Sequence, residues 1–139
     1  MSKGPENTFI ASVHRHLPVD FYSMKNHNEY NGGIADCWYS GTKADLWVEY
    51  KYLNLPKMAD TLIRLTDTKK PYALSKLQQQ WLWGRSLEGR NVHVIVGCPK
   101  GGVIFTHPEV WSEPIAAGRF LQFVVDRKTI AEYILKACT

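Results

Sequence analysis

The chain has 139 residues, of which 45% are apolar and 22% charged, and its formal net charge at pH 7 is +4. This length predicts one domain over residues 1–139, and the composition is that of a soluble globular protein. No apolar run approaches the roughly 20 residues of a membrane helix, and the first residues lack the apolar stretch of a signal peptide, so we expect a cytoplasmic protein with no membrane partner.

The first half of the chain predicts a helix followed by three strands. Residues 5–17 predict a helix, because Pro5 suits a first turn and Ile10, Val13 and Leu17 recur at helical spacing. A strand, a polar loop and the two strands of a β-hairpin are predicted next, at residues 19–25, 26–33, 34–39 and 46–53.

The second half predicts further strands between helices. Residues 58–65 suggest a short helix, 74–87 a longer one and 128–137 a last one, with Asp126 as its N-cap. Strands are predicted at 91–97 and 103–106, with a further strand or extended edge at 119–125. Strands between helices predict an α/β fold in which helices cover both sides of a mixed sheet.

The three cysteines give no sign of a zinc site. Cys37, Cys98 and Cys138 form neither a CxxC pair nor a Cys/His spacing that suits zinc. Their number is odd, so at least one cannot form an internal disulfide. We therefore expect three reduced thiols in or near the core.

The predicted hairpin carries two acids and a base on one face. Its midpoint lies between Thr42 and Lys43, which places Asp36 opposite Glu49 with Cβ atoms roughly 4.5–5.5 Å apart. Lys51, two residues further, points to the same face. Paired carboxylates repel each other, and a hard divalent cation such as Mg²⁺ or Mn²⁺ would relieve this repulsion. Alternatively, these groups form an ordinary surface salt bridge and turn.

The same residues resemble a known nuclease signature. Gly33-Ile34-Ala35-Asp36, then twelve residues, then Glu49-Tyr50-Lys51 is similar to the PD-(D/E)xK motif, with Ala35 in place of the usual proline. Within that superfamily the chain resembles small stand-alone VRR-NUC and Holliday-junction-resolvase-like nucleases, many of them phage-encoded. The resemblance implies a restriction-endonuclease-like mixed β-sheet flanked by helices, in the order αβββαβ.

Two polar residues on predicted helices extend the resemblance. Glu6 lies on the apolar stripe of the first helix, where such nucleases carry a glutamate; alternatively, it only favours the positive end of the helix dipole. Gln78 falls within the inward arc of the second helix, formed by Leu74, Leu77, Trp81 and Leu82, whereas Gln79 points outward. Gln78 matches the glutamine of an S-x-x-Q-x-x-W motif; alternatively, it is a core-edge residue bonded to backbone.

The resemblance implies a chemical role for each of these residues. Asp36, Glu49 and the Tyr50 carbonyl would hold Mg²⁺, or Mn²⁺ as a substitute, with Glu6 adding a ligand through water. Lys51 would orient the attacking water or stabilise charge, and Gln78 would position phosphate or water.

The implied activity is that of a DNA endonuclease. The positive net charge agrees with DNA as partner. Branched DNA such as a Holliday junction, cut by a homodimer, is the first expectation. The alternatives are a flap or single-strand nuclease, and a non-cleaving DNA-binding module with a nuclease-like fold.

Overall fold

The computed structural model describes residues 3–26 and 32–139; most of the predicted polar loop at 26–33 lies outside these ranges. In chain order the elements are α1 Lys3–His14, β1 Tyr22–Lys25, β2 Cys37–Ser40, β3 Asp45–Tyr52, β4 Leu62–Ile63, α2 Lys76–Leu87, β5 Val92–Cys98, β6 Gly101–Phe105, α3 Pro108–Trp111, β7 Ile115–Ala116, α4 Ala117–Phe123 and α5 Arg127–Cys138.

A five-stranded mixed sheet forms the centre, with strand order β1-β2-β3-β5-β6. Strands β3 and β5 are parallel, and the other neighbours are antiparallel. A parallel pair requires a crossover connection, and α2 lies in the segment between β3 and β5. The short strands β4 and β7 form a separate antiparallel pair.

Helices cover both faces of this sheet, which confirms the predicted α/β class and its restriction-endonuclease-like architecture. One core joins α1 and α5 to the sheet through residues such as Phe9, Val13 and Ile134. The other core lies under α2, α3 and α4 and includes Leu82 and Phe120. Across residues 3–26 and 32–139, the helices are all too short or too polar to span a lipid bilayer.

Side-chain caps fix the starts of two helices. The Ser75 hydroxyl accepts a hydrogen bond from the Gln78 N–H (3.1 Å), and the Gln78 side chain accepts one from the Ser75 N–H (2.9 Å). This reciprocal capping box begins α2. The Asp126 carboxylate accepts from the Thr129 N–H (2.8 Å), so Asp126 is the N-cap of α5, as predicted.

Two segments differ from the sequence-based prediction. Residues 58–65 are not a helix: Leu62 and Ile63 form β4, which pairs with β7 more than fifty residues later. Residues 119–125 are not a strand, because most of them belong to α4, which buries Ala117 and Phe120 at helical spacing. In both cases long-range packing overrides the local pattern.

The thiols follow the prediction, but two residues of α2 do not. All three cysteines are buried and free. Leu77, assigned to the inward face of α2, is 57% exposed. Gln79, predicted to point outward, is half-buried and donates to the Leu74 and Thr66 carbonyls at 3.0 and 3.3 Å.

Candidate active site

The two acids of the hairpin meet where β2 begins. The antiparallel ladder of β2 and β3 pairs Cys37 with Val48, so Asp36 and Glu49 are the next residues in the predicted register. The Tyr50 N–H donates to Asp36 Oδ2 at 3.0 Å. The Asp36 side chain thus accepts the hydrogen bond that the backbone of β2 would accept if the ladder continued beyond Cys37 and Val48.

Gly33 lets the segment before Asp36 approach α2. Its φ of +92° lies in the left-handed region, which glycine adopts without strain. A Cβ at this position would lie 2.5 Å from the Leu77 carbonyl oxygen. The absence of a side chain therefore brings this segment against the first turn of α2, next to Gln78.

Glu49 is the central residue of the site and is only 1% exposed. Its Oε2 accepts a hydrogen bond from Gln78 Nε2 at 2.9 Å and lies 3.7 Å from Lys51 Nζ. Its Oε1 is buried and has no hydrogen-bond partner among the described residues. Gln78 therefore reaches the acid pair and does not serve only as a cap of α2.

Burial is the main cause that raises the pKa of Glu49 well above its ordinary value. The negative charge of Asp36 raises this pKa further, and the charge of Lys51 opposes the shift. When both acids are ionised they can only accept hydrogen bonds, but a proton on Glu49 can be shared with Asp36. At neutral pH the pair therefore favours either one retained proton or a bound cation.

The atoms of this site fit a hard divalent cation. A buried carboxylate oxygen without a donor, beside a second carboxylate, matches the oxygen ligands that Mg²⁺ or Mn²⁺ prefers. The backbone N–H groups of Trp47 and Leu53 donate to carbonyls on the β5 side of β3. Because the backbone groups of successive strand residues alternate in direction, those of Tyr50 point to the β2 side. The Tyr50 carbonyl lies beyond the last pair of that ladder and is a possible third oxygen ligand.

Glu6 has a weaker electrostatic effect on Glu49 than Asp36 has. Its charge is the smallest of the causes that raise the pKa of Glu49, so it lies within electrostatic reach. Among residues 3–26 and 32–139, no three His, Cys, Asp or Glu side chains are grouped closely enough to hold a metal ion together. A contribution of Glu6 through water stays a prediction.

A chain of hydrogen bonds supports β3 from the opposite face of the sheet. The Tyr39 hydroxyl lies 2.6 Å from the Tyr50 hydroxyl and 2.7 Å from His14 Nε2. All three side chains are buried or half-buried, and burial lowers the pKa of His14. No local sequence pattern relates these residues, because they come from three separate elements.

Tryptophans lie beside the acid pair on the same face of the sheet. The rings of Trp38 and Trp47 stack at 5.9 Å, and Trp47 meets Trp81 of α2 edge-to-face at 5.5 Å. These contacts join β2, β3 and α2 next to Asp36, Glu49 and Gln78. Trp38 and Trp47 are opposite each other in the hairpin register, which is the sequence signal for their contact.

Comparison with known proteins supports the fold. No family model matches the chain, and no curated protein sequence matches it. A solved structure that resembles it is that of Hjc, a Holliday junction resolvase from the archaeal hyperthermophile Archaeoglobus fulgidus. The TM-score is 0.56 at 12% identity, and the match covers 92% of this chain and 96% of the archaeal chain.

Proposed function

We propose that this protein is a metal-dependent endodeoxyribonuclease that selects branched DNA, similar to Holliday junction resolvases and small VRR-NUC nucleases. The observation that carries this proposal is the buried Asp36–Glu49 pair, in which Glu49 contacts both Gln78 and Lys51. A structural salt bridge would not need a second acid beside a buried carboxylate, because that acid makes burial costlier. The shared fold with a junction-resolving enzyme adds support.

Asp36 and Glu49 would hold Mg²⁺, with Mn²⁺ as a substitute and the Tyr50 carbonyl as a further ligand. The bound ion would polarise the scissile phosphate and lower the pKa of a water molecule. Gln78 donates to Glu49 Oε2 and so leaves Oε1 available for this role. Its second partner, the Ser75 N–H, fixes the orientation of the amide.

Lys51 supplies the positive charge for the reaction. Its side chain is 15% exposed, and its ammonium nitrogen lies 3.7 Å from Glu49 Oε2, next to the place where a phosphate would meet the acids. There it would orient the attacking water or stabilise negative charge on the phosphoryl oxygens in the transition state. Water attack forms a new P–O bond, the bond to the 3′ oxygen breaks, and a 5′-phosphate remains.

The substrate proposal follows from the elements within residues 3–26 and 32–139, which include no separate domain for reading base sequence. The described residues form the catalytic sheet and its covering helices, so recognition would depend on DNA shape. A Holliday junction is the first proposed substrate, and its symmetric cleavage would require a homodimer. A flap or single-strand nuclease is the second candidate, because the acid pair would cut such DNA by the same chemistry.

Cleavage of defined DNA substrates tests the proposal. End-labelled four-way junction, flap, duplex and single-stranded DNA would be incubated with the protein in Mg²⁺, Mn²⁺ or EDTA. We expect cleavage near the branch point with either metal and none in EDTA. Glu49→Gln should abolish cleavage yet retain DNA binding, and Glu132→Gln, at an exposed position on α5, is the matched control.

Two outcomes would contradict the proposal. Cleavage that persists in EDTA would exclude a required metal. An absence of cleavage on all four substrates, from a folded protein that still binds DNA, would favour the non-cleaving binding module.

A further inference from the structure

A second feature lies at the same end of β3 as the acid pair. A cavity of about 270 Å³ is lined by Pro5, Tyr52, Leu53, Asn54, Pro71 and Tyr72. Pro5 directly precedes Glu6, and Tyr52 directly follows Lys51. The cavity therefore borders the segments that carry Lys51 and Glu6, and none of its lining residues has a role in the proposed chemistry.

The lining of this cavity is mostly apolar, and several of its side chains are held in place. The Tyr52 ring packs against Phe9 at 6.1 Å, and Leu53 is buried. The Tyr72 hydroxyl accepts a hydrogen bond from the Arg64 N–H at 3.1 Å, and its half-buried ring packs against the core under α2. Asn54 adds one exposed amide, which can donate and accept hydrogen bonds.

The surroundings of the cavity are basic. Lys69 and Lys70 directly precede Pro71 and are exposed, and Arg64 is exposed beside Tyr72. The nearby acids outside the metal-binding pair are Asp67, which accepts from the Lys69 N–H at 3.1 Å, and Glu6. Lys51 is already paired with Glu49, so three cations remain against these two acids, and this excess of positive charge favours a ligand that carries phosphate.

We propose that this cavity, the Tyr52–Tyr72 pocket, binds one unpaired nucleobase of the strand that is cut. The base would stack on the tyrosine rings with Asn54 at its polar edge, while Lys69 and Lys70 contact the adjoining phosphates. A flat aromatic ligand attached to phosphate satisfies both the apolar walls and the basic rim. The cavity is too narrow for a duplex, in which bases are stacked on one another and not free to enter.

This inference rests on the proposed nuclease function and names the feature of the DNA that the enzyme would select. A paired base must leave its stack before it can enter the pocket, and this costs a few kcal/mol, whereas a base on a flap is already unpaired. Flap DNA would therefore bind more tightly than duplex because one base is free, and a fully paired four-way junction would first have to open one base pair at its branch point.

Binding measurements in EDTA test the pocket without cleavage. Fluorescently labelled flap DNA would carry either a normal nucleotide or an abasic one at each position around the branch. For the wild-type protein we expect one position at which base removal weakens binding about tenfold, the scale of one stacked base. Tyr72→Ala should weaken binding to the normal DNA by a similar factor and should lose the effect of the abasic nucleotide.

Matched variants separate stacking from folding. Tyr72→Phe retains the ring and should bind as the wild type does, which shows that loss of the ring is responsible. Tyr133→Ala removes a half-buried tyrosine of α5 that contacts His93, and should leave DNA binding unchanged. The double variant Lys69→Gln/Lys70→Gln should reduce the steepness of log affinity against log salt by about 1.4, the value for two phosphate contacts on a single strand. Lys136→Gln, exposed on α5, is its control.

The outcomes distinguish this proposal from the nuclease proposal. If the wild-type protein cuts branched DNA but abasic nucleotides and Tyr72→Ala leave its affinity unchanged, the pocket proposal is wrong and the nuclease proposal stands. If no DNA is cut with any metal but the abasic effect depends on Tyr72, the pocket stands and the nuclease proposal is wrong. If removal of the base weakens DNA binding equally in the wild type and in Tyr72→Ala, the unpaired base binds elsewhere on the protein.

Discussion

Replacement of Glu49 by glutamine should stabilise the metal-free protein at neutral pH. Burial and the charge of Asp36 raise the pKa of Glu49 above its ordinary value of 4.5, so folding favours the protonated acid. The amide of Glu49→Gln has the shape of that protonated acid. Its oxygen can accept from Gln78, and its NH₂ group can donate to Asp36, without a buried charge.

The sign of the effect follows from linkage. Because folding raises the pKa of Glu49, its stabilising contribution is complete below pH 4.5 and is lost as the pH rises through the folded-state pKa. The size follows from Glu49 Oε1, which is buried without a hydrogen-bond partner among the described residues, a cost of about 1–3 kcal/mol. In EDTA at pH 7.5, Glu49→Gln should therefore be more stable than the wild type by about this amount, and the difference should narrow as the pH falls toward 4.5.

Urea unfolding in EDTA, followed by tryptophan fluorescence between pH 4.5 and 8, measures this difference. Glu132→Gln makes the same substitution at an exposed position and should leave stability nearly constant. Mg²⁺ at a hundredfold excess over its Kd should add about 2.7 kcal/mol to the wild type and nothing to Glu49→Gln. A variant that is less stable than the wild type at pH 7.5, or a difference independent of pH, would refute the reasoning.

Three further substitutions test other contacts of the site. Gln78→Glu retains the capping acceptor but adds a negative charge 2.9 Å from Glu49 Oε2, so the rate of single-turnover cleavage should fall at least about tenfold. Gln80→Glu, at an exposed position on α2, is its control. Equal cleavage rates in Gln78→Glu and the wild type would show that Gln78 has no role in the site. Gly33→Ala should cost about 1–3 kcal/mol of stability from strain at φ +92°, whereas Gly84→Ala, with open space around it, should cost none in the same urea titration. Tyr39→Phe should cost about 1–3 kcal/mol, because Tyr50 and His14 lose a shared partner; unchanged stability would show that the hydroxyl chain contributes nothing.

The hairpin and its register could be predicted from the sequence because their signals are local. The turn midpoint, the alternation of the strands and the polar residues on one face all lie within about twenty residues, and they fix which side chains share a face. Asp36 and Glu49 therefore lie side by side where the sequence places them. Gln78 could be related to them only through its position on α2.

The second half of the chain was less predictable because its packing is non-local. Ile63 and Leu65 alternate with exposed neighbours as in a strand, but the partner of β4 lies more than fifty residues away. In α4 the aromatic and branched residues favour a strand locally, yet Ala117 and Phe120 fill a hydrophobic core at helical spacing. Leu77 lies on the apolar stripe of α2, but it packs against Gly32 and Gly33, in the segment before Asp36, and not against the core.

The most direct test of the account is where a divalent ion binds. Crystals of the wild-type protein soaked in Mn²⁺ would give an anomalous diffraction signal at the bound ion. We expect a strong peak within bonding distance of Glu49 Oε1 and of the Asp36 carboxylate, and this peak should be lost in Glu49→Gln crystals. A peak elsewhere, or no peak from protein that binds Mn²⁺ in solution, would contradict the assignment of these acids as the metal site.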